Sequence, residues 1–304
     1  NKVELTLNGA PQTGKDNGEG TIDFWDLSEE LDAGDELVMS DGEVTKYHTV
    51  KALTLDGYDL DENTVWGTAD PDSSVWLGAC TDGACRGERV DADGSGNWSY
   101  DFDAQGLDLK PGSDMWFQRF NTDGTEDRTS LYIHIPYPVI RVDPSIEEVW
   151  GHEFLPDAEI SIEVQGVGTY YTKSDENGNF GTNLKEYVDF TGGETVIVSD
   201  GERSKTLLVT SLVLYDVDVD TDIVNGEADP GSDVDVWAND NDSDFGTTVQ
   251  ADGDTGYYEF DFTDNPINTD VDITRGSNGG VAQWEEDGDC TNINWHIPNP
   301  RFTV

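Results

Sequence analysis

The residues Leu53 to Val75 return without a gap as Leu212 to Val234, with 11 of the 23 positions identical. The two stretches, LTLDGYDLDENTVWGTADPDSSV and LVLYDVDVDTDIVNGEADPGSDV, keep a leading Leu pair, two Asp, a Val-x-Gly-x-Ala-Asp-Pro run and a closing Ser-x-Val. Downstream, Ser130 to Val142 (SLYIHIPYPVIRV) returns as Asn292 to Val304 (NINWHIPNPRFTV), sharing His-Ile-Pro-x-Pro. An internal repeat on this scale means that the chain is built from copies of one supersecondary unit. Each copy reads as strand, turn, strand. From Asp216 to Ile223 acid alternates with apolar, the period of two of a strand with one wet face. The Pro of Ala-Asp-Pro cannot sit inside a central strand and marks where the chain turns back.

The same grammar divides the chain into two alternating module types. LVMSDGEVTKYHTV (Leu37 to Val50) echoes IVSDGERSKTLLV (Ile197 to Val209), and VELTLNG (Val3 to Gly9) echoes ISIEVQG (Ile160 to Gly166). This predicts a truncated type A module at 1–50, type B at 51–136, type A at 137–209, type B at 210–298, and at 299–304 the opening strand of a following type A module. Lys51 to Ala52, Tyr137 and Thr210 are the short linkers. Helical period is nearly absent, with one turn allowed at Ser28 to Leu31. Short strands separated by Gly, Asp, Asn and Pro turns are the signature of β-sandwiches, and modules of this length hold about seven strands, the Ig-like range. The fold class expected is all-β: tandem Ig-like β-sandwich modules in an elongated alternating A-B array. Most of Trp66, Trp98, Trp116, Trp150, Trp237 and Trp295, in apolar-alternating segments, are expected as core anchors.

The 304 residues carry 65 acidic against 16 basic side chains, a net charge of −49. Aromatic residues at 10% separate the chain from a disordered acidic tail. Such a skin repels nucleic acid and anionic membrane surfaces and favours cations or a salty medium. No stretch reaches the roughly 20 apolar residues that span a bilayer, so no membrane insertion is expected in this segment.

Cys80 and Cys85 bracket Thr-Asp-Gly-Ala and read as a local disulfide at a hairpin tip, which suggests an oxidising, extracellular setting. Zinc is the competing reading, with no companion His or Cys at ligand spacing. Cys290 is left over: free, buried or intermolecular.

The frame Val-x-Gly-x-Ala-Asp-Pro-x-Ser-x-Val, followed by an Asp/Asn/Gly-aromatic tip and His-Ile-Pro-Asn-Pro-Arg-Phe-Thr-Val, resembles the tandem Ig-like repeats of very long secreted surface proteins of environmental filamentous bacteria. More broadly it is similar to the Ig-like and cadherin-like modules of bacterial adhesins. The resemblance implies an extracellular stalk, adhesive or sheath-forming role at the cell surface and brings no catalytic residues with it.

Calcium is the cofactor the side chains suggest. Asp91-Ala-Asp93-Gly-Ser95-Gly96 places oxygens at positions one, three and five and Gly at six, the first half of an EF-hand-like loop; Phe102 stands where the bidentate Glu is due. Asp175, Asn177 and Asn179 repeat the spacing, Asp252 and Asp254 repeat it more weakly, and Asp218 and Asp220 crowd a module junction together with Asp216 and Asp222. A tight polar turn needs the same residue types, so turn-only is the competing reading. The four His are scattered, and carboxylates are too abundant for any pair to mark a hydrolase; the chain reads as a non-enzyme. The rival is a calcium-dependent carbohydrate-binding adhesin array, with Trp76 and Trp116 stacking on surface glycans. Asn97-Trp-Ser and Asn241-Asp-Ser are candidate glycosylation sequons.

The ends of the chain suggest a two-period window on an A-B repeat. Either a longer array is cut in an exposed turn, or copies join head to tail, with Arg301, Phe302, Thr303 and Val304 supplying the opening strand to the next copy.

Overall fold

The computed structural model describes residues 3–16, 22–24, 27–121, 127–239, 244–263 and 271–300. They divide into two compact units, Asn1–Pro136 and Tyr137–Val304. The first unit contains β1 (Glu4–Leu7), β2 (Ala10–Gln12), β3 (Lys15–Asp16), β4 (Ile22–Asp23), β5 (Glu36–Ser40) and β6 (Thr45–Thr49). It continues with β7 (Gly57–Asp59), β8 (Thr64–Thr68), β9 (Ser74–Thr81), β10 (Ala84–Asp91), β11 (Asn97–Asp101), β12 (Asp114–Phe120) and β13 (Arg128–His134). Its sheets run β2-β1-β5-β6, β10-β9-β12-β13 and β11-β8-β7, with β3 and β4 paired separately.

The last two large sheets form a four-on-three sandwich. Its core holds Val65, Val75, Leu77, Trp98, Phe102, Met115 and Phe117. Alternation produces it: in Asp-Met-Trp-Phe-Gln-Arg-Phe of β12, Met115 and Phe117 point inward and are fully buried, while Trp116 and Gln118 face outward. Each such apolar side chain stabilises the fold by roughly 1.5–3 kcal/mol.

The second unit contains β14 (Val139–Asp143), β15 (Glu148–His152), β16 (Glu159–Val164), β17 (Gly168–Lys173), β18 (Phe180–Asn183), β19 (Thr195–Ser199) and β20 (Ser204–Leu208). It closes with β21 (Val213–Asp218), β22 (Ile223–Glu227), β23 (Asp233–Asn239), β24 (Asp244–Gln250), β25 (Tyr257–Asp261), β26 (Asn278–Trp284) and β27 (Cys290–His296). One core lies between β17-β16-β19-β20 and β18-β15-β14, around Ile140, Val142, Ile160, Ile162, Val196 and Val198. A second lies between β21-β22-β25 and β27-β26-β23-β24, around Val224, Val234, Val236, Tyr258 and Val281. The chain is therefore an all-β tandem of Ig-like sandwiches.

Linkers alone do not join the two sandwiches of the second unit. Strand β14 pairs in parallel with β27, Arg141 opposite Cys290 and Val142 opposite Thr291. The result is one seven-stranded sheet, β18-β15-β14-β27-β26-β23-β24, running through both. The linker residue Thr210 is held as well, its N–H donating to Thr291 Oγ1 at 2.9 Å. In the first unit Lys51 N–H makes the same bond to Thr129 Oγ1, also at 2.9 Å.

The repeat motif is a bracket between the two layers of the sandwiches built around Val65 and around Val224. Ser73 N–H and Ser232 N–H close the turn onto Asp70 and Asp229 carbonyls at 3.2 and 3.0 Å. Gly67 and Gly226 are fixed by proximity: a Cβ at either would lie 2.0 Å from a carbonyl oxygen, of Thr54 or Val213 respectively. At its glycines the repeated frame thus encodes close backbone approach.

Two expectations are corrected. Among the described residues the single helical element is a 3-10 turn at Phe102–Gln105, capped by Asp101, whose side chain accepts Asp103 N–H, and ended by Gly106 at φ 64°. At Ser28 the chain bends instead, because Gln12 Oε1 takes the Ser28 N–H at 2.8 Å. The tryptophans are mostly not core anchors: of the six, Trp98 alone is fully buried. Trp66, Trp116 and Trp237 lie over Gly57, Gly78 and Gly280 of a neighbouring strand, and Trp295 lies over Gly279. A missing Cβ leaves a flat slot that an indole covers.

Candidate functional site

The strongest metal candidates sit at the sandwich tips, and there the carboxylate oxygens are turned back onto their own loops. Asp93 Oδ1 accepts the N–H groups of Ser95 (2.8 Å) and Asn97 (2.9 Å). Asp175 Oδ1 accepts those of Asn177 (2.9 Å) and Asn179 (2.8 Å). Asp252 Oδ1 accepts those of Asp254 (3.1 Å) and Thr255 (2.8 Å). A glycine at positive φ completes each turn: Gly96 at 89°, Gly178 at 77° and Gly256 at 75°. Backbone donors, Asn97 for Asp93, Asn179 for Asp175 and Thr255 for Asp252, hold all three carboxyls below the usual range. Asp91, on the end of β10, accepts from Ser74 Oγ at 2.5 Å and faces Arg89 at 3.6 Å, so it does not converge with Asp93. Ser95 enters through its backbone.

Asp218 follows the same pattern, accepting Asp220 N–H at 2.8 Å. Asp222 accepts Ile273 N–H at 2.7 Å, and burial, with repulsion from Asp272, Asp261 and Asp218, raises its carboxyl. Among the described residues no three His, Cys, Asp or Glu side chains converge on a point that would hold a metal ion. The donors present fit self-capping turns of the Asx kind better than a calcium cage. Asn97 donates its side-chain amide to Asp93 Oδ2 at 3.3 Å. Asn241 and the segment Arg301 to Val304 lie outside the described residues.

Cys80 and Cys85 are directly opposed on β9 and β10 and form a disulfide. Cys290 is free and fully buried, and burial pushes its thiol up to about 12.

The sheet junction was not singled out in sequence. Lys205 Nζ, from β20, contacts Asp287 at 2.5 Å and the fully buried Asp289 at 3.1 Å. Asp289 Oδ1 in turn accepts Ile140 N–H at 2.8 Å and so anchors the start of β14. Burial pushes the Asp289 carboxyl up to about 6. Burial opposes the charge on Lys205 too, but hydrogen bonds to Asp287 and Asp289 raise its ammonium above the ordinary value. The first unit repeats the pair, Lys46 Nζ lying 2.8 Å from Asp127. The signal available in sequence was the shared Ser-Asp-Gly-Glu-x-x-Lys spacing of Ser40 to Lys46 and Ser199 to Lys205.

Above the junction Arg141 lies between Trp150 and Trp284, its guanidinium carbon 4.5 and 4.7 Å from the two ring centres. On the outer face of β9 and β12, Trp76 is 48% exposed and lines an open groove with Trp116 and Phe120. Beside it Asp114 accepts from Tyr132 Oη (2.5 Å) and contacts His134 Nδ1 (2.7 Å), and these bonds lower its carboxyl. No helix among the described residues is long and apolar enough to cross a membrane.

No protein-family model matches the chain, and no curated protein matches it. Among solved structures, a Ca2+-stabilized adhesin of an Antarctic bacterium aligns with 98% of this chain and 90% of its own, at 15% identity and a TM-score of 0.22. A tetra-tandem repeat from the extending region of a large adhesion protein aligns with 97% and 91%, at 15% identity and 0.21. The central fibronectin-III array of RIM-binding protein aligns with 82% and 97%, at 10% identity and 0.21. At these scores the likeness carries no functional weight.

Proposed function

We propose that this chain is a non-enzymatic extracellular repeat protein whose role is structural and adhesive, as part of a cell-surface stalk, sheath or filament. The observation that carries it is the parallel pairing of β14 with β27, which makes one sheet of two sandwiches. Two beads on a flexible string part at the linker under load. Here parting requires the strand pairing, the buried Lys205–Asp289 contact and the Arg141 stack to break together. The division at 1–50, 51–136, 137–209, 210–298 and 299–304 describes the period of this array. The disulfide fits an oxidising compartment. Copies or repeats join head to tail through Arg301 to Val304. Multivalent cations act by screening the carboxylate skin rather than by filling tip loops.

Electron microscopy of the native material with and without chelator, beside the mass of the denatured chain, tests this. Long filaments or beaded strings are the expected result, the denatured mass distinguishing joined copies from one long repeat polypeptide. Monodisperse particles with no higher assembly, and no longer parent polypeptide, contradict it.

The groove beside Trp76 supports a second reading, glycan binding, since an exposed indole offers a sugar an apolar face. Titration of soluble glycans against tryptophan emission distinguishes it, with Trp76→Ala as control.

A further inference from the structure

The two units carry the same β-hairpin, β9-β10 and β23-β24, and dress its outer face differently. Ser74, Trp76 and Gly78 of β9 stand opposite Asp91, Arg89 and Gly87 of β10. In the second unit Asp233, Asp235 and Trp237 of β23 stand opposite Gln250, Thr248 and Gly246 of β24. The indole that covers a glycine has changed strands between them. Trp237 leaves β23 and lies over Gly280 of β26, and a Cβ at Gly246 would stand 3.2 Å from the Trp237 Cβ. In the first unit the indole is Trp116 of β12, which reaches across onto Gly78. It does not extend to the next strand: within 4 Å a Cβ at Gly87 would meet only backbone, the Leu77 carbonyl oxygen and Gly78 Cα. Two adjacent glycines therefore leave a trough between Trp76 and the Cys80–Cys85 disulfide. Trp116 floors its Gly78 end, and the Gly87 end is open.

We propose that this trough seats one ring of a neutral polysaccharide built from all-equatorial hexopyranose units, the ring lying over Gly87 with its C–H face against Trp76. The proposal rests on the glycan reading above and supplies its ligand class and its seat. Such a ring carries its C–H groups on its two faces and its hydroxyls around its rim, so it fits a flat apolar wall with polar groups to either side. Trp76 is the wall, 48% exposed, with Arg89 opposite it on β10 and Gln118 opposite it on β12. The Gln118 amide can donate to a hydroxyl and accept from one, and the Arg89 guanidinium can donate. A side chain at position 87 would fill the seat.

Charge selects the class. At a net −49 the chain repels polyanions. Beside Trp76 the charges of Arg89 and Asp91, 3.6 Å apart, balance. On the same frame the second unit has Asp233 and Asp235 where Ser74 and Trp76 stand, and Thr248 and Gln250 where Arg89 and Asp91 stand, an acidic face with no indole at that place. The first unit thus interrupts the acidic skin with an uncharged aromatic patch. A neutral ligand matches it, and a concave, mostly apolar site with few polar groups is the usual form of a small-ligand seat.

The test is calorimetric titration of the 304-residue chain with cellohexaose as the neutral probe and a galacturonate hexamer as the anionic one. Saturable binding of cellohexaose is expected, and none of the galacturonate. Trp76→Asp with Arg89→Thr installs the pair that the second unit carries on the same frame, so the variant is expected to fold and to bind roughly tenfold more weakly, the size of one lost aromatic contact. Gly87→Leu fills the seat while leaving both indoles in place, and is expected to abolish binding, its melting temperature serving as the check on folding. Binding of the galacturonate in place of cellohexaose overturns the neutral class and leaves the glycan reading standing. Cellohexaose binding unchanged in the double variant, or in a folded Gly87→Leu, overturns the seat. Binding of neither probe overturns the proposal, and the emission titration with Trp76→Ala decides the broader glycan reading separately.

Discussion

The guanidinium of Arg141 stands 4.7 Å from the ring centre of Trp284, across the line where β14 meets β27. Trp150 closes the other side at 4.5 Å. Register aligns Trp150, Arg141, Cys290 and Trp284 in one row across four strands. A cation between two indoles, partly withdrawn from water, is worth about 1–2 kcal/mol. Arg141→Ala is therefore expected to lower the unfolding free energy of the second unit by about that amount. In a double-mutant cycle with Trp284→Ala a coupling above ~0.5 kcal/mol is expected. A coupling indistinguishable from zero in urea titrations would show that the stack does not hold the junction.

The exchange of Trp and Gly between equivalent strands predicts strong non-additivity in the first unit. Gly78→Trp alone drives a side chain into Trp116, since even a Cβ at Gly78 would meet its ring at 2.2 Å. Trp116→Gly alone bares the slot. Each single change is expected to destabilise by about 1–3 kcal/mol, whereas the double change, which reproduces Trp237 with Gly280, is expected to lie within about 1 kcal/mol of the parent. Thermal unfolding of the three variants checks this, and additive losses would refute it.

Acid is expected to stabilise the second unit before it destabilises it. Burial pushes Asp289 up to about 6 and raises Asp222 as well. The unfolded chain releases these protons near the ordinary carboxylate value of ~3.9. Between about pH 4 and 6 the folded protein therefore holds protons that the unfolded chain has lost, and stability rises as pH falls through this window. Below it the sign reverses. Asp175 and Asp252, held low by turn hydrogen bonds, contribute stability above the unfolded value that is lost as pH falls through their folded values. A melting temperature that peaks between about pH 4 and 5 is expected, with a flatter rise from pH 7 in Asp289→Asn. A steady decline from pH 7 downwards would be inconsistent with the burial of Asp289.

Cys290 reports on the same junction without any substitution. Its thiol is fully buried and pushed up to about 12, so almost no thiolate exists at neutral pH. A thiol reagent is expected to leave the native chain unlabelled and to modify one thiol per chain in guanidinium, the other two cysteines being paired. Rapid labelling of the native chain would mean that β27 opens readily.

Much of the fold was legible because it is written in local terms. The Ala-Asp-Pro turns appear as the brackets at Asp70 and Asp229, but the Asp-Val alternation from Asp216 to Ile223 does not run as one strand: only Asp216 to Asp218 lies in β21, and 219–222 turn, with Asp222 at φ 57° and Val219 exposed, before β22 begins at Ile223. The disulfide was legible because a short turn leaves its two cysteines little choice of partner. The tips were legible as loops but ambiguous in purpose. Asp93 and Asp175 have the spacing of a cation loop, and only the position of their oxygens, spent on their own backbone, separates a turn from a site. The indoles misled for a similar reason. Alternation says that Trp116 and Trp237 lie on a face of a strand, but not which face, nor that a glycine waits opposite.

The sequence by itself determined the all-β class, the turn that closes each bracket and the cysteine pair, because each depends on residues near one another along the chain. Only the tertiary structure decided that Arg141 meets Trp284, that Lys205 reaches Asp289 and that β14 joins β27 in parallel. Those contacts unite residues 84 to 149 positions apart, and their energies come from burial and register, quantities that exist only once the sheets are assembled.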